Sequence, residues 1–243
     1  MRKLTFFLQA FYWPYWRFVM FFFGHLRVVG LKKIAQEKRG AIFAGNHSSQ
    51  LDPFLVPTAL SPRSPLMPMH FVSRERGFYD VQGIARYAYG GLIFRIWGAY
   101  PVLVKEEEYE TKLVHHISIL LNGGSVCIFP EGVLSKDGSV GKGKPGVAYL
   151  LWRTGKPVIP VAITGHHNMG PYGFFMRRHR LVVMFGEPIS REEIFGAMDL
   201  SVQPTRDQLV SATEIIMSRV REMVSSLNPK EATETSGLQV SSD

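Results

Sequence analysis

The sequence predicts an α/β fold: one domain with a mixed, mostly parallel central sheet flanked by helices, carrying an extra helical segment at its N-terminus. Three observations predict it. Short apolar runs that stop at glycine or polar loops alternate with helical stretches. A chain of 243 residues with 46% hydrophobic content suits one sizeable core and a short appendage. The first 27 residues differ sharply in composition from the rest of the chain, and no internal repeat is present.

In chain order, residues 40–45 read as a buried strand that ends at a loop. Residues 51–60 open a helix, with Pro53 tolerated in the first turn. Residues 67–72 alternate like a strand, 82–91 read as a loosely amphipathic helix, and 93–104 as a strand. Acids in the first turn and Asn122-Gly123-Gly124 at the end mark 106–121 as a helix. A buried strand at 125–129 leads into a glycine-rich loop at 131–143. A helix at 147–154 is closed by Gly155, strands occupy 157–163 and 180–185, and 205–227 is a long amphipathic helix. The polar residues 229–243 read as a disordered tail, which leaves 28–228 as the domain.

The formal net charge is +8, and its position matters more than its size. Residues 1–40 hold eight Lys and Arg against one acid, Glu37, beside eleven aromatics between Phe6 and Phe23. A basic, aromatic and apolar segment suits an anionic lipid surface. Nucleic acid is excluded as a partner, because it calls for basic residues along a groove without a greasy run between them. Residues 4–23 are long enough to span a bilayer, but three features oppose a simple span. Pro14 would kink it, Arg17 would be costly inside it, and its Trp and Tyr cluster mid-segment rather than at its ends. The expectation is a kinked helix, or two short ones, within residues 1–27 that associates with the headgroup boundary. The alternative is a helix packed only on its own domain. No small-x-small cleavage site comes after the apolar run.

Cys127 is the one cysteine, so no disulfide forms within the chain, and a reducing compartment is expected. Its apolar surroundings mark a buried structural thiol. No Cys/His cluster has zinc spacing.

Chemistry is expected where buried strands end, since α/β proteins bind ligands at the carboxyl ends of their strands. Asn46-His47-Ser48-Ser49-Gln50-Leu51-Asp52 comes directly after one such strand and opens a helix. A strand-to-helix turn lets Asp52 accept the Nδ1 proton of His47, which frees Nε2 to take a proton from a hydroxyl. This is two-thirds of a Ser-His-Asp arrangement, with the substrate's own hydroxyl in place of serine. The bland alternative is a helix-capping Asp52 beside an unrelated histidine. Phe129-Pro130-Glu131-Gly132 ends a second buried strand, where Glu131 either caps a turn or orders the acceptor or the loop. Residues 135–144 contain Lys136, Lys142 and Lys144 among glycines; they fit a solvated loop or a holder of phosphate or a coenzyme A tail, and they lack Walker spacing. The pairs His115-His116 and His166-His167 have no assigned role, the first reading as a surface or core pair and the second standing at a strand end, where it lies outside the site or, as the lesser alternative, touches it.

The order of four blocks resembles the lysophosphatidic acid acyltransferase (1-acylglycerol-3-phosphate O-acyltransferase) family: Asn46-His47-x4-Asp52, Gly98-Ala99-Tyr100-Pro101-Val102, Phe129-Pro130-Glu131-Gly132 and Val158-Ile159-Pro160-Val161. The resemblance covers about residues 28–190. It implies an acyltransferase domain in which His47 is the base and Asp52 its orienter. Asn46, Glu131, Gly132, Lys105 and Lys144 are then expected at the substrate site. It implies acyl-CoA or acyl-ACP as co-substrate, a lysophospholipid-type acceptor, no metal or other cofactor, and work at the cytoplasmic face of a membrane in phospholipid biosynthesis.

Two departures bear on the acceptor. The family's second block ends in an arginine where this chain has Val104, and its third block continues Thr-Arg where this chain has Val133-Leu134. Valine and leucine cannot form a bidentate phosphate clamp. Lys105, Lys136, Lys142, Lys144 or Arg95 would supply the charge, or the acceptor carries no phosphate. A catalytically silent lipid-binding relative and a hydrolase are the competing readings. The absence of a Gly-x-Ser-x-Gly elbow weighs against the hydrolase.

Overall fold

The computed structural model describes residues 2–73, 92–103, 108–196 and 198–227. The expected helix at 82–91, Val104, Lys105 and the tail at 229–243 lie outside them. Seven strands form one sheet: β1 (Arg27–Val29), β2 (Ile42–Gly45), β3 (Met69–Ser73), β4 (Ala99–Pro101), β5 (Ser125–Ile128), β6 (Val158–Thr164) and β7 (Val182–Phe185). Their spatial order is β1-β7-β6-β2-β5-β3-β4. Among these strand pairs, only β6–β7 is antiparallel. The mixed, mostly parallel sheet is the one expected.

The sheet is covered on both faces, as continuous apolar strands require. Along β2, Phe43 points into one core with Leu55, Val56 and Ile159. Its neighbours Ile42 and Ala44 point into the other with Leu120, Leu150 and Ile216. This is the period of two in a strand buried on both sides. The first core is closed by α1 (Arg2–Phe22) and α2 (Asp52–Ala59), the second by α5 (Val114–Leu121), α6 (Gly146–Thr154) and α9 (Arg206–Leu227). The described helices also include α3 (Leu92–Trp97), α4 (Tyr109–Lys112), α7 (Pro171–Phe175) and α8 (Arg191–Phe195).

Two elements differ from expectation. Of residues 93–104, expected as one strand, 93–97 belong to α3 and 99–101 to β4, joined at Gly98 with φ 104°. Leu92 to Trp97 is apolar but short, and periodicity cannot separate helix from strand in such a run. The helix expected at 106–121 is interrupted between α4 and α5 at Leu113, whose φ of −111° and ψ of 15° leave the helical region while its side chain enters the core. Of the two forms expected for the N-terminal segment, one helix or two, it takes the first, a single helix that runs through Pro14.

α1 is also fastened to the domain. Buried Gln9 donates to the carbonyls of Met69 at 2.7 Å and Trp97 at 2.9 Å, and accepts from the Met69 N–H at 3.0 Å. Trp13 Nε1 donates to the Leu60 carbonyl at 2.6 Å, and Met20 is a core residue. The other side of the helix is exposed, with Phe7 and Phe11 each about two-thirds accessible (65% and 66%). Among the described residues, no helix is long and apolar enough to cross a membrane.

Candidate active site

The parallel trio β6-β2-β5 brings three carboxyl ends together, and the loops leaving them form the site. The first element is the turn from β2 to α2. Asn46, just past the strand, is 2% exposed. Its amide donates to the Ile163 carbonyl at 2.9 Å and accepts from the Ile163 N–H at 2.8 Å. A side chain thus replaces a backbone partner and prolongs the β2–β6 ladder past its last paired residue. Asn46, expected at the substrate, is buried and clamps the two strands through one hydrogen bond on each polar atom of its side chain.

His47 is the next residue, and its Nδ1 lies 2.8 Å from Asp52 Oδ2. That oxygen also accepts from the backbone N–H of Ser48 at 3.0 Å and Ser49 at 3.1 Å. Asp52 is the first residue of α2 and is fully buried, whereas the His47 side chain is 20% exposed. The carboxylate is thus shielded while the imidazole is partly open to solvent. Burial opposes the charge on Asp52, but hydrogen bonds from His166 and His47 outweigh it and hold the carboxyl below its ordinary value. A carboxylate on Nδ1 makes Nε2 the proton-accepting nitrogen.

His166 is the site residue that sequence reading missed. It lies two positions past β6, is buried, and places Nε2 on Asp52 Oδ1 and 3.1 Å from Ser48 Oγ. Asp52 therefore stands between two imidazoles, one on each oxygen. The signal was its place at the end of the third strand of the trio. His116 is a buried core residue on α5, held neutral by burial, which lowers it to about 4. Cys127 is fully buried in the sheet, which pushes its thiol up and leaves it inert.

The second element is the turn after β5. Glu131 Oε1 accepts the His47 N–H at 3.0 Å, and its Oε2 accepts the Gly141 N–H at 3.1 Å. Glu131 ties the histidine turn to the far end of the glycine-rich loop. Burial raises its pKa despite these two N–H groups. The Ser135 N–H donates to the His47 carbonyl at 2.7 Å, and Phe129 stacks on the imidazole with centroids 4.4 Å apart. His47 is thus held through its ring, its N–H and its C=O.

Gly132 has φ 67°, and a Cβ there would lie 2.9 Å from Lys144 Nζ. The left-handed backbone is what calls for glycine here, since the flexible lysine end could move aside. Lys144 lies across this turn and its backbone N–H donates to the Pro130 carbonyl at 2.8 Å. Val133 and Leu134, where the resembled family has Thr-Arg, are solvent-exposed apolar side chains at this turn. Among the described residues, no group of three or more His, Cys, Asp or Glu could hold a metal ion.

Residues 25–164, more than half of the chain, match the Acyltransferase family model. The chain belongs to the acyltransferase family. Both His47 and Glu131 fall within the matched region, and His166 lies just beyond it. The chain is 26% identical over 152 residues to the chloroplastic 1-acyl-sn-glycerol-3-phosphate acyltransferase LPAT1 of Arabidopsis thaliana, covering 62% of this chain and 39% of that protein. It is 26% identical over 194 residues to a 1-acyl-sn-glycerol-3-phosphate acyltransferase of Limnanthes alba, covering 74% of this chain and 65% of that one. The chain thus spans about two-fifths of the length of the first relative and just under two-thirds of the second. The crystal structure of the LPA acyltransferase PlsC from Thermotoga maritima shares the fold of this acyltransferase-family chain. Its TM-score is 0.62 at 21% identity, covering 93% of this chain and 81% of that one.

Proposed function

We propose that this protein transfers a fatty acyl group from the thioester of acyl-CoA or acyl-ACP to a hydroxyl of a lysophospholipid-type acceptor. The default acceptor is 1-acyl-glycerol-3-phosphate, the setting is phospholipid biosynthesis, and the site works at the cytoplasmic face of a membrane. The observation that carries the reading is the accessible His47 bonded through Nδ1 to fully buried Asp52. His47 Nε2 takes the acceptor's hydroxyl proton as its oxygen attacks the thioester carbon. The C–S bond breaks, and the imidazolium returns the proton to the departing thiolate. Asp52 stabilises the imidazolium, and His166 holds the other carboxylate oxygen in place. Glu131 positions His47 and the glycine-rich loop, and Lys144 offers positive charge beside them. No cofactor enters the balance of this reaction.

Exposed Val133 and Leu134 favour a second reading on one point: the acceptor carries no phosphate at the place where the family arginine would hold it. The test is thiol release from palmitoyl-CoA, and from acyl-ACP, over a panel of lysolipids with wild type and His47→Ala. Release that depends on His47 and is stimulated by lysophosphatidic acid supports the default acceptor. Stimulation by a neutral acceptor alone moves the substrate and keeps the mechanism. Free fatty acid without acylated lipid would indicate a hydrolase. Silence with every donor and acceptor would leave a non-catalytic lipid-binding protein.

A further inference from the structure

α7 and the basic turn directly after it form an exposed feature that the reaction does not use. The segment leaves β6 at the site end of the sheet and returns as β7, whose Val182 pairs with Thr164. Its first residues include His166, and its far end is α7. Phe174 and Met169 pack on the core and anchor the segment. Tyr172, Phe175 and Met176 face outward at 65%, 57% and 55% exposure. Arg177, Arg178 and Arg180 come next and are exposed as well.

This feature is continuous with the aromatic face of α1. Phe23 lies with ring centroids 5.9 Å from Phe174 and 5.3 Å from Phe175. The guanidinium of Arg177 lies 4.7 Å from the Phe22 ring centroid, and that of Arg178 lies 5.3 Å from Tyr172. Two elements distant in sequence thus present rings and cations side by side. Charge selects the occupant: neither residues 1–36 nor residues 138–186 contain any Asp or Glu. A protein surface would be met by mixed charge, whereas rings flanked by arginines and no acid match an anionic headgroup layer over acyl chains.

We propose that α7 and its arginine turn are a second lipid-contacting element, which with α1 seats the site end of the sheet on an anionic phospholipid surface. The inference rests on the membrane-surface reading of the proposed function and adds a contact that α1 cannot supply. β7 and β1 start at this same end, where β6 stops, so the seat adjoins the edge onto which His47 and Glu131 open.

The test uses the full chain and vesicles that contain neither acceptor nor donor, so its result does not depend on acyl transfer. Partitioning is measured on phosphatidylcholine vesicles with and without phosphatidylglycerol, for wild type, Arg177→Gln/Arg178→Gln, Phe175→Ser/Met176→Ser and an α1 control, Phe7→Ser/Phe11→Ser. A thermal melt of each variant shows whether it is folded. The arginine pair is expected to lower partitioning on anionic vesicles by roughly tenfold or more, at about fivefold per basic residue, and to flatten its salt dependence. The Phe175/Met176 pair is expected to weaken binding on anionic vesicles severalfold. Loss in the α1 control with no change in either α7 variant would overturn this inference and leave the membrane reading standing. Wild-type protein that binds neither vesicle would overturn both. A Phe175/Met176 variant that changes oligomeric state without changing vesicle binding would assign the face to a second copy and overturn the lipid assignment.

Discussion

At the scale of single residues, the site is organised around one buried carboxylate with four donors. Asp52 accepts from two imidazoles and two backbone N–H groups. Its folded pKa is lowered, so its contribution to stability is complete above the unfolded value of about 3.9 and is lost as pH falls through the folded value. His166 is buried and bonds to Asp52, which makes it a positioning residue in the proposed reaction. His166→Leu is expected to lower kcat by about tenfold or more with little change in KM, because one oxygen of the orienter is released. His166→Gln, which retains a donor, is expected to recover part of the loss. Steady-state kinetics of both variants checks this; a KM effect of equal size would point to substrate contact instead. For His47→Ala, loss of general-base catalysis predicts a fall of at least about a hundredfold in kcat with folding intact, read by acyl transfer and a thermal melt.

At the scale of elements, the loops are aligned by groups that bridge strands. Asn46 satisfies both backbone polar groups of Ile163 where the β2–β6 ladder stops. Asn46→Ala leaves that buried N–H and C=O unpaired, and is expected to cost about 2–3 kcal/mol in chemical denaturation and to lower activity by displacing His47. α5 carries a different kind of group. His116 is buried and neutral with a folded pKa of about 4, below the unfolded value of 6.5. Between those values the unfolded chain binds the extra proton, so stability falls on acidification from about pH 6.5 to about pH 4. The expected loss is up to about 3 kcal/mol, and His116→Leu should flatten that part of the curve in urea titrations at several pH values.

At the scale of the whole molecule, α1 is at once a structural helix and a surface. Gln9, Trp13 and Met20 hold its inner side on the domain, so deleting the segment would open the core rather than test its outer face. Point changes on the outer face avoid this. Phe7→Ser/Phe11→Ser/Phe18→Ser is expected to reduce vesicle partitioning by about tenfold or more while thermal stability changes little, since each of these rings is already exposed. Co-sedimentation with a parallel melt checks both halves of the statement. The sheet places this helix and the His47 turn within one domain, as the proposed reaction on an acceptor in a lipid layer requires.

Much of this was legible in the residues themselves. Gly45-Asn46-His47 after an apolar run and Phe129-Pro130-Glu131-Gly132 after another marked two strand ends, and local spacing was enough to join His47 to Asp52. The same local rules marked the α6 stop at Gly155 and the buried state of Cys127. They could not separate helix from strand in residues 92–97, since a short apolar run serves either. They also could not see partners far apart in the chain. His166 meets Asp52 across 114 positions, Asn46 meets Ile163 across 117, and Gln9 meets Met69 across 60. The chain by itself therefore determined the class of fold, the histidine–aspartate pair and the basic aromatic character of the N-terminus, because those depend on near neighbours and composition. Only the tertiary structure decided that Asn46 is a clamp, that His166 shares Asp52, and that α1 and α7 present one surface, because β-sheet order brings together residues whose separation leaves no periodic trace.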